Sequence, residues 1–127
     1  MAKWSRRCIE AAKQCGQAYL PEVAKPRELA KILQASDRIG LKLVGTRGES
    51  AEPILTELQK CEGARGLMLL IGPEGGLTEA EQGLAQQRGC RPVFLGENIL
   101  RVETAAVALL AAVRAWNDGK MKDQNQA

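Results

Sequence analysis

The sequence contains no histidine. The side chain most used as a general base near neutral pH, and as a zinc ligand, is therefore missing. Its four cysteines, Cys8, Cys15, Cys61 and Cys90, show no C-x-x-C spacing, so no metal is expected. They read as reduced, partly buried thiols of a cytosolic protein. Cys8 and Cys15 would share a helix face about two turns apart, too far for a mutual disulfide. Long apolar runs are absent as well. The longest, Ala105 to Val113, is about half of what a membrane-spanning helix needs. With no signal peptide visible, no membrane partner and a cytoplasmic location are expected. Neither a G-K-[ST] phosphate loop nor a G-x-G-x-x-G turn occurs, which removes support for a P-loop nucleotide protein or a dinucleotide fold. There is no internal repeat and no low-complexity segment.

What is present suits one hydrophobic core. A chain of 127 residues, 45% apolar and 26% charged, reads as a single globular domain. The net charge of +3 is unevenly spread, with eleven Lys or Arg against seven acids in residues 1–60 and seven against eight in 61–127. Such a first half permits contact with a polyanion, and a solvated surface would look the same.

Periodicity predicts alternating helices and strands. Apolar or small residues at Trp4, Cys8, Ala11, Ala12 and Cys15 predict an amphipathic helix over 4–17, ending near Gly16. Leu20 to Val23 reads as a short strand or turn, and Pro26 can open a second helix with Leu29, Ile32 and Leu33 inward. Ile39 to Val44 reads as a strand, and Pro53 to about Lys60 as a helix with Ile54, Leu55 and Leu58 on one side. Gly66 to Ile71 reads as a strand buried on both faces. Thr78 followed by Glu81 is a capping box that starts a helix reaching about Arg88. A strand over Pro92 to Leu95 and an apolar helix to Trp116 follow, with Thr104 as N-cap. Residues 119–127 read as a polar tail. The alternation implies an α/β domain with a mainly parallel sheet flanked by helices.

Two segments carry chemical information. I-G-P-E-G-G, Ile71 to Gly76, follows a strand and precedes a capped helix, so it reads either as a loop that brings a ligand to the main chain or as a tight structural turn. Glu74 within it disfavours a phosphate ligand and favours a neutral or cationic one, unless it faces solvent or caps free amides. L-G-E-N-I-L-R-V-E-T-A, Leu95 to Ala105, places Ile99 and Leu100 to wall an apolar slot. Arg101 and Glu103 either act on a ligand or pair with each other. The apolar stripe Ala105 to Val113 covers more than one helix face. It reads either as burial inside the domain or, the preferred reading, as burial partly against a second copy of the chain. Trp4 and Trp116 read as packing anchors.

L-L-I-G-P-E-G-G-L-T-x-x-E and L-G-x-x-I-L-R-x-E-T-A together resemble the RsmE-type ribosomal RNA methyltransferases of the SPOUT class. Lys3-Trp4 followed by Glu10-Ala11-Ala12-x-Gln14-Cys15-Gly16-Gln17 is similar to the family's E-A-x-x-Q-x-G-R helix. The resemblance covers nearly the whole chain. It implies methyl transfer from S-adenosylmethionine to N3 of a uridine in 16S ribosomal RNA of the small subunit. It also implies a C-terminal deep trefoil knot that holds the cofactor, and a homodimer.

Carried over residue by residue, the resemblance places Ile71, Gly72, Pro73, Gly75 and Gly76, with the flanking Leu70, in the cofactor pocket. Leu95, Gly96, Ile99, Leu100, Arg101, Thr104 and Ala105 complete it. Arg101 and Glu103 become the catalytic candidates, Arg101 orienting the RNA or stabilising charge on the uracil. The family carries an N-terminal PUA-like RNA-binding domain and an opening strand and helix not found here. Residues 1–118 are thus expected to be part of a SPOUT domain, a truncated member. Asn98 and Gln17 stand where the family usually has arginine, and Glu97 adds a negative charge. The alternative function is a cofactor-binding or dimerising fragment without catalysis.

Overall fold

Four parallel strands form one sheet in the order β2-β4-β1-β3. Their residues are β1 Leu41–Gly45, β2 Glu52–Pro53, β3 Leu67–Ile71 and β4 Arg91–Phe94. In the computed structural model, residues 2–16, 20–97 and 100–126 are described. Helices α1 Ala2–Cys15, α2 Leu29–Ala35, α3 Ile54–Lys60, α4 Glu79–Gln87 and α5 Val102–Gln126 alternate with the strands or precede them. The α/β class with a parallel sheet flanked by helices is what the sequence pattern implies.

Period-two alternation sorts the strand residues onto two faces. On one face Leu41, Leu43 and Val93 pack with Ile54 and Leu58 of α3 and Leu109 of α5, and Leu67, Leu69 and Ile71 of β3 border them. On the other, Val44 packs with Leu33 of α2 and with Ala85 and Cys90, bordered by Met68, Leu70, Leu77 and Leu84. The sheet is therefore the middle of three layers. Trp116 packs beside the first cluster as an anchor, whereas Trp4 is 58% exposed with the Arg7 guanidinium 5.8 Å from its ring centroid.

Several boundaries differ from the sequence reading, each for a local reason. The β3 run is half-buried at every position, because it is the edge strand and lacks a neighbour on one side. Residues 20–28 form neither strand nor helix, and α2 starts only where the Glu28 carbonyl accepts from Lys31 and Ile32. Leu55 points outward, at 49% exposure. Helix α5 runs through Gln126, so residues 119–126 are helical rather than a tail. Lys120 helps to hold this extension, pairing with Glu62 and lying 4.3 Å from the Trp116 ring centroid. Gln17 and Asn98, the positions of the two missing arginines, lie outside the described residues.

Candidate functional site

The strands run parallel, so β1, β3 and β4 end on the same side of the sheet, where α/β folds place ligands. There a cavity of about 840 Å³ opens. Both motif segments line it. From the first come Ile71 through Leu77, and from the second Leu95, Leu100 to Glu103 and Ala105.

Local chemistry shapes the first loop. Gly76 adopts φ +78, the left-handed region where glycine carries no side-chain penalty, and its amide donates to the Pro73 carbonyl at 2.7 Å. Leu77 then folds back on Gly72: a Cβ on Gly72 would lie 3.1 Å from both Leu77 Cγ and Leu77 N. The predicted capping box closes the turn. Thr78 Oγ1 accepts from the Glu81 amide at 3.1 Å, and the Thr78 amide donates to the Glu81 carboxylate at 3.2 Å.

The second segment leads into α5. Arg101 precedes the helix and its carbonyl accepts from the Ala105 amide at 2.7 Å. Because α5 begins at Val102, Thr104 sits inside the first turn rather than at the N-cap, and it is exposed away from the cavity. Glu103 lies in that same turn, where the positive end of the helix dipole favours a carboxylate. No Arg101–Glu103 ion pair forms among the described residues.

Two further residues expected at the site lie away from the cavity lining. Leu70 does not line the cavity: strand alternation turns it to the α2/α4 face, where it joins the second cluster. Gly96 does not line it either, and its φ of +77 marks the corner after β4. Ile99 lies outside the described residues.

The cavity also includes residues that motif reasoning missed. Val44 to Gly48 and Ser50 approach from the end of β1, Gln82 and Gln86 from α4, and Phe94 and Leu109 from β4 and α5. The available signals were Gly45 and Gly48 closing a strand, and two glutamines spaced four apart on one helix face. Arg47 lies over Phe94, its guanidinium 5.1 Å from the ring centroid. The lining thus carries two cations, Arg47 and Arg101, and two acids, Glu74 and Glu103.

Below the cavity, Glu57 on α3 is buried and accepts from Arg91 at 2.9 Å and from Lys60 at 3.2 Å. Burial pushes its carboxyl up, but the two hydrogen bonds and the two positive charges outweigh this and hold it below the usual carboxylate range. Among the described residues no cluster of acids and cysteines could hold a metal, and no helix is long and apolar enough to cross a membrane.

Comparison with known proteins places this geometry. The model of the RNA methyltransferase domain matches residues 1–114. The chain belongs to that family. A ribosomal RNA small subunit methyltransferase E from Synechocystis is 36% identical over 118 residues, covering 91% of this chain and 38% of the relative. One of the same description from Mesomycoplasma hyopneumoniae is 28% identical over 110 residues, covering 87% and 46%. A crystal structure of the Neisseria gonorrhoeae methyltransferase of that description, bound to S-adenosyl methionine, superposes with TM-score 0.75 at 31% identity. It covers 91% of this chain and 46% of that one. The chain spans less than half the length of these relatives.

Proposed function

We propose that the cavity binds S-adenosylmethionine and that residues 1–118 act as a methyltransferase domain on N3 of a uridine in 16S ribosomal RNA of the small subunit. The reading places the protein in the cytoplasm as a homodimer. The observation that carries it is the convergence of residues 71–77 and 95–105 on one cavity at the carboxyl ends of the strands. It is supported by membership of the RNA methyltransferase domain family.

The residues present fit the methyl donor. The cavity, about 840 Å³, lies within the range of roughly 300–1,000 Å³ typical of small-molecule sites. Ile71, Leu77, Leu100 and Leu109 supply apolar wall for an adenine, and the glycine turns expose main-chain groups beside it. Glu74 and Glu103 offer negative charge to a sulfonium.

When bound, the donor would supply an electrophilic methyl group for a uracil N3 whose proton is released to water. Arg101 stabilises the charge that develops on the uracil carbonyl oxygens. Glu103, in the first turn of α5, orients the reacting groups from the same wall. Helix α5 has a second role under this reading: Val107 and Leu110, 69% and 60% exposed, form the dimer contact. The C-terminal segment, with β3 and β4 on either side of β1 and α5 returning onto α3, would carry the trefoil knot.

Calorimetry with S-adenosylmethionine tests the pocket, and methyl transfer to unmodified small ribosomal subunits tests the reaction. Binding with transfer is expected. No heat at millimolar cofactor would reject the pocket, and binding without transfer would favour the non-catalytic fragment.

A further inference from the structure

Arg47 belongs to neither motif segment, yet it lines the same cavity as Arg101. The two reach it from different parts of the chain, Arg47 from the end of β1 and Arg101 from the entry to α5. Arg88, Arg91 and Arg114 are each committed to a carboxylate. Among the described residues Arg47 and Arg101 are not, although Glu49 and Glu103 stand two positions from them in sequence.

Phe94 covers the Arg47 guanidinium at 5.1 Å from the ring centroid. The cation–π contact holds the side chain, and its N–H fork meets no carboxylate among the described residues. That fork matches two oxygens of a phosphate. The position favours the substrate over the cofactor, because Arg47 is exposed whereas Val93 and Leu109, which also line the cavity, are buried and apolar. A strand that presents one base to this cavity has to carry its backbone across the rim.

We propose that Arg47, seated on Phe94, binds a phosphate of the RNA strand beside the nucleotide to be methylated, and so acts as a positioning residue. The proposal rests on the methyltransferase reading above.

The test uses the full chain, a fluorescein-labelled 16S ribosomal RNA fragment with unpaired uridines titrated at several salt concentrations, and calorimetry with S-adenosylmethionine. Arg47→Gln is expected to leave cofactor affinity within about twofold, to weaken RNA binding roughly tenfold at low salt, and to reduce the salt slope by about 0.7. Arg47→Lys should restore the slope but only part of the affinity, since an ammonium cannot fork. Phe94→Leu should keep the slope and lose affinity. If wild type binds both ligands and Arg47→Gln changes neither RNA affinity nor slope, the phosphate contact is overturned while the methyltransferase reading stands. Loss of cofactor affinity with an unchanged slope would also overturn it, assigning Arg47 to the cofactor. Wild type that binds cofactor and no RNA overturns the contact together with the RNA substrate.

Discussion

Gly45 and Leu109 are packed so closely that a Cβ on Gly45 would lie 2.7 Å from Leu109 Cδ1, and 3.0 Å from Ile71 Cδ1. The end of β1 therefore meets α5 so closely that a methyl group there would have to displace the tip of Leu109, and both residues line the cavity. Gly45→Ala should cost about 1–3 kcal/mol by overpacking, and Leu109→Ala about 2–5 kcal/mol by leaving a void. Since the second change makes space for the first, the double variant should lose less than the sum in urea unfolding. Strictly additive losses would contradict the contact.

Gly72 is the corresponding tight point in the first loop. A Cβ there meets Leu77 at 3.1 Å, so Gly72→Ala should push Leu77 back by a few tenths of an ångström and disturb the 72–77 turn. Its urea midpoint should move little, because the loop is on the surface, while affinity for S-adenosylmethionine falls tenfold or more. Undiminished cofactor affinity by calorimetry would remove this loop from the pocket.

Helix α4 starts at a complete capping box. Thr78→Ala should destabilise the domain by about 1 kcal/mol, and Thr78→Ser should recover most of it. Thermal unfolding of the two variants side by side decides the point.

Glu57 gives the chain a pH-dependent component of stability. Its carboxyl titrates below the usual range in the folded state because Arg91 and Lys60 outweigh the opposing effect of burial. Its contribution is therefore fully present above the ordinary glutamate value and lost as the pH falls through the lower folded one. Glu57→Gln should cost about 1–3 kcal/mol at neutral pH, and the gap to wild type should close in acid. A gap that stayed constant down to low pH would show that the pairing is not its origin.

The exposed Val107 and Leu110 test the dimer. Wild type should sediment as a dimer, and Val107→Glu with Leu110→Glu as a monomer that keeps its helical circular dichroism. A monomeric wild type would refute the proposed contact.

The two motif segments, the α4 capping box and, apart from the two-residue β2 and the far end of α5, the run of elements from β1 onward were legible in the sequence because each depends on neighbours a few residues apart. Ile71, Gly72, Leu95, Leu100 and Arg101, named from these segments, line the cavity. Leu70 faces α2 and α4 and not the cavity, because adjacency to a motif says nothing of which face a strand residue takes. Thr104 was misplaced because its side chain suits an N-cap that α5 had already passed. Arg47, Gln82 and Phe94 were missed because no local pattern links the end of β1, a helix face and a strand end.

By itself the sequence determined the alternation of helices and strands and the presence of two loops able to admit a ligand, since periodicity and turn chemistry are short-range. Only the tertiary structure decided that β1 lies between β3 and β4, that β3 is an edge, and that residues from Val44 to Leu109 share one cavity. Those outcomes follow from burying apolar faces across long sequence separations, where Leu43, Val93 and Leu109 come together although no local signal connects them.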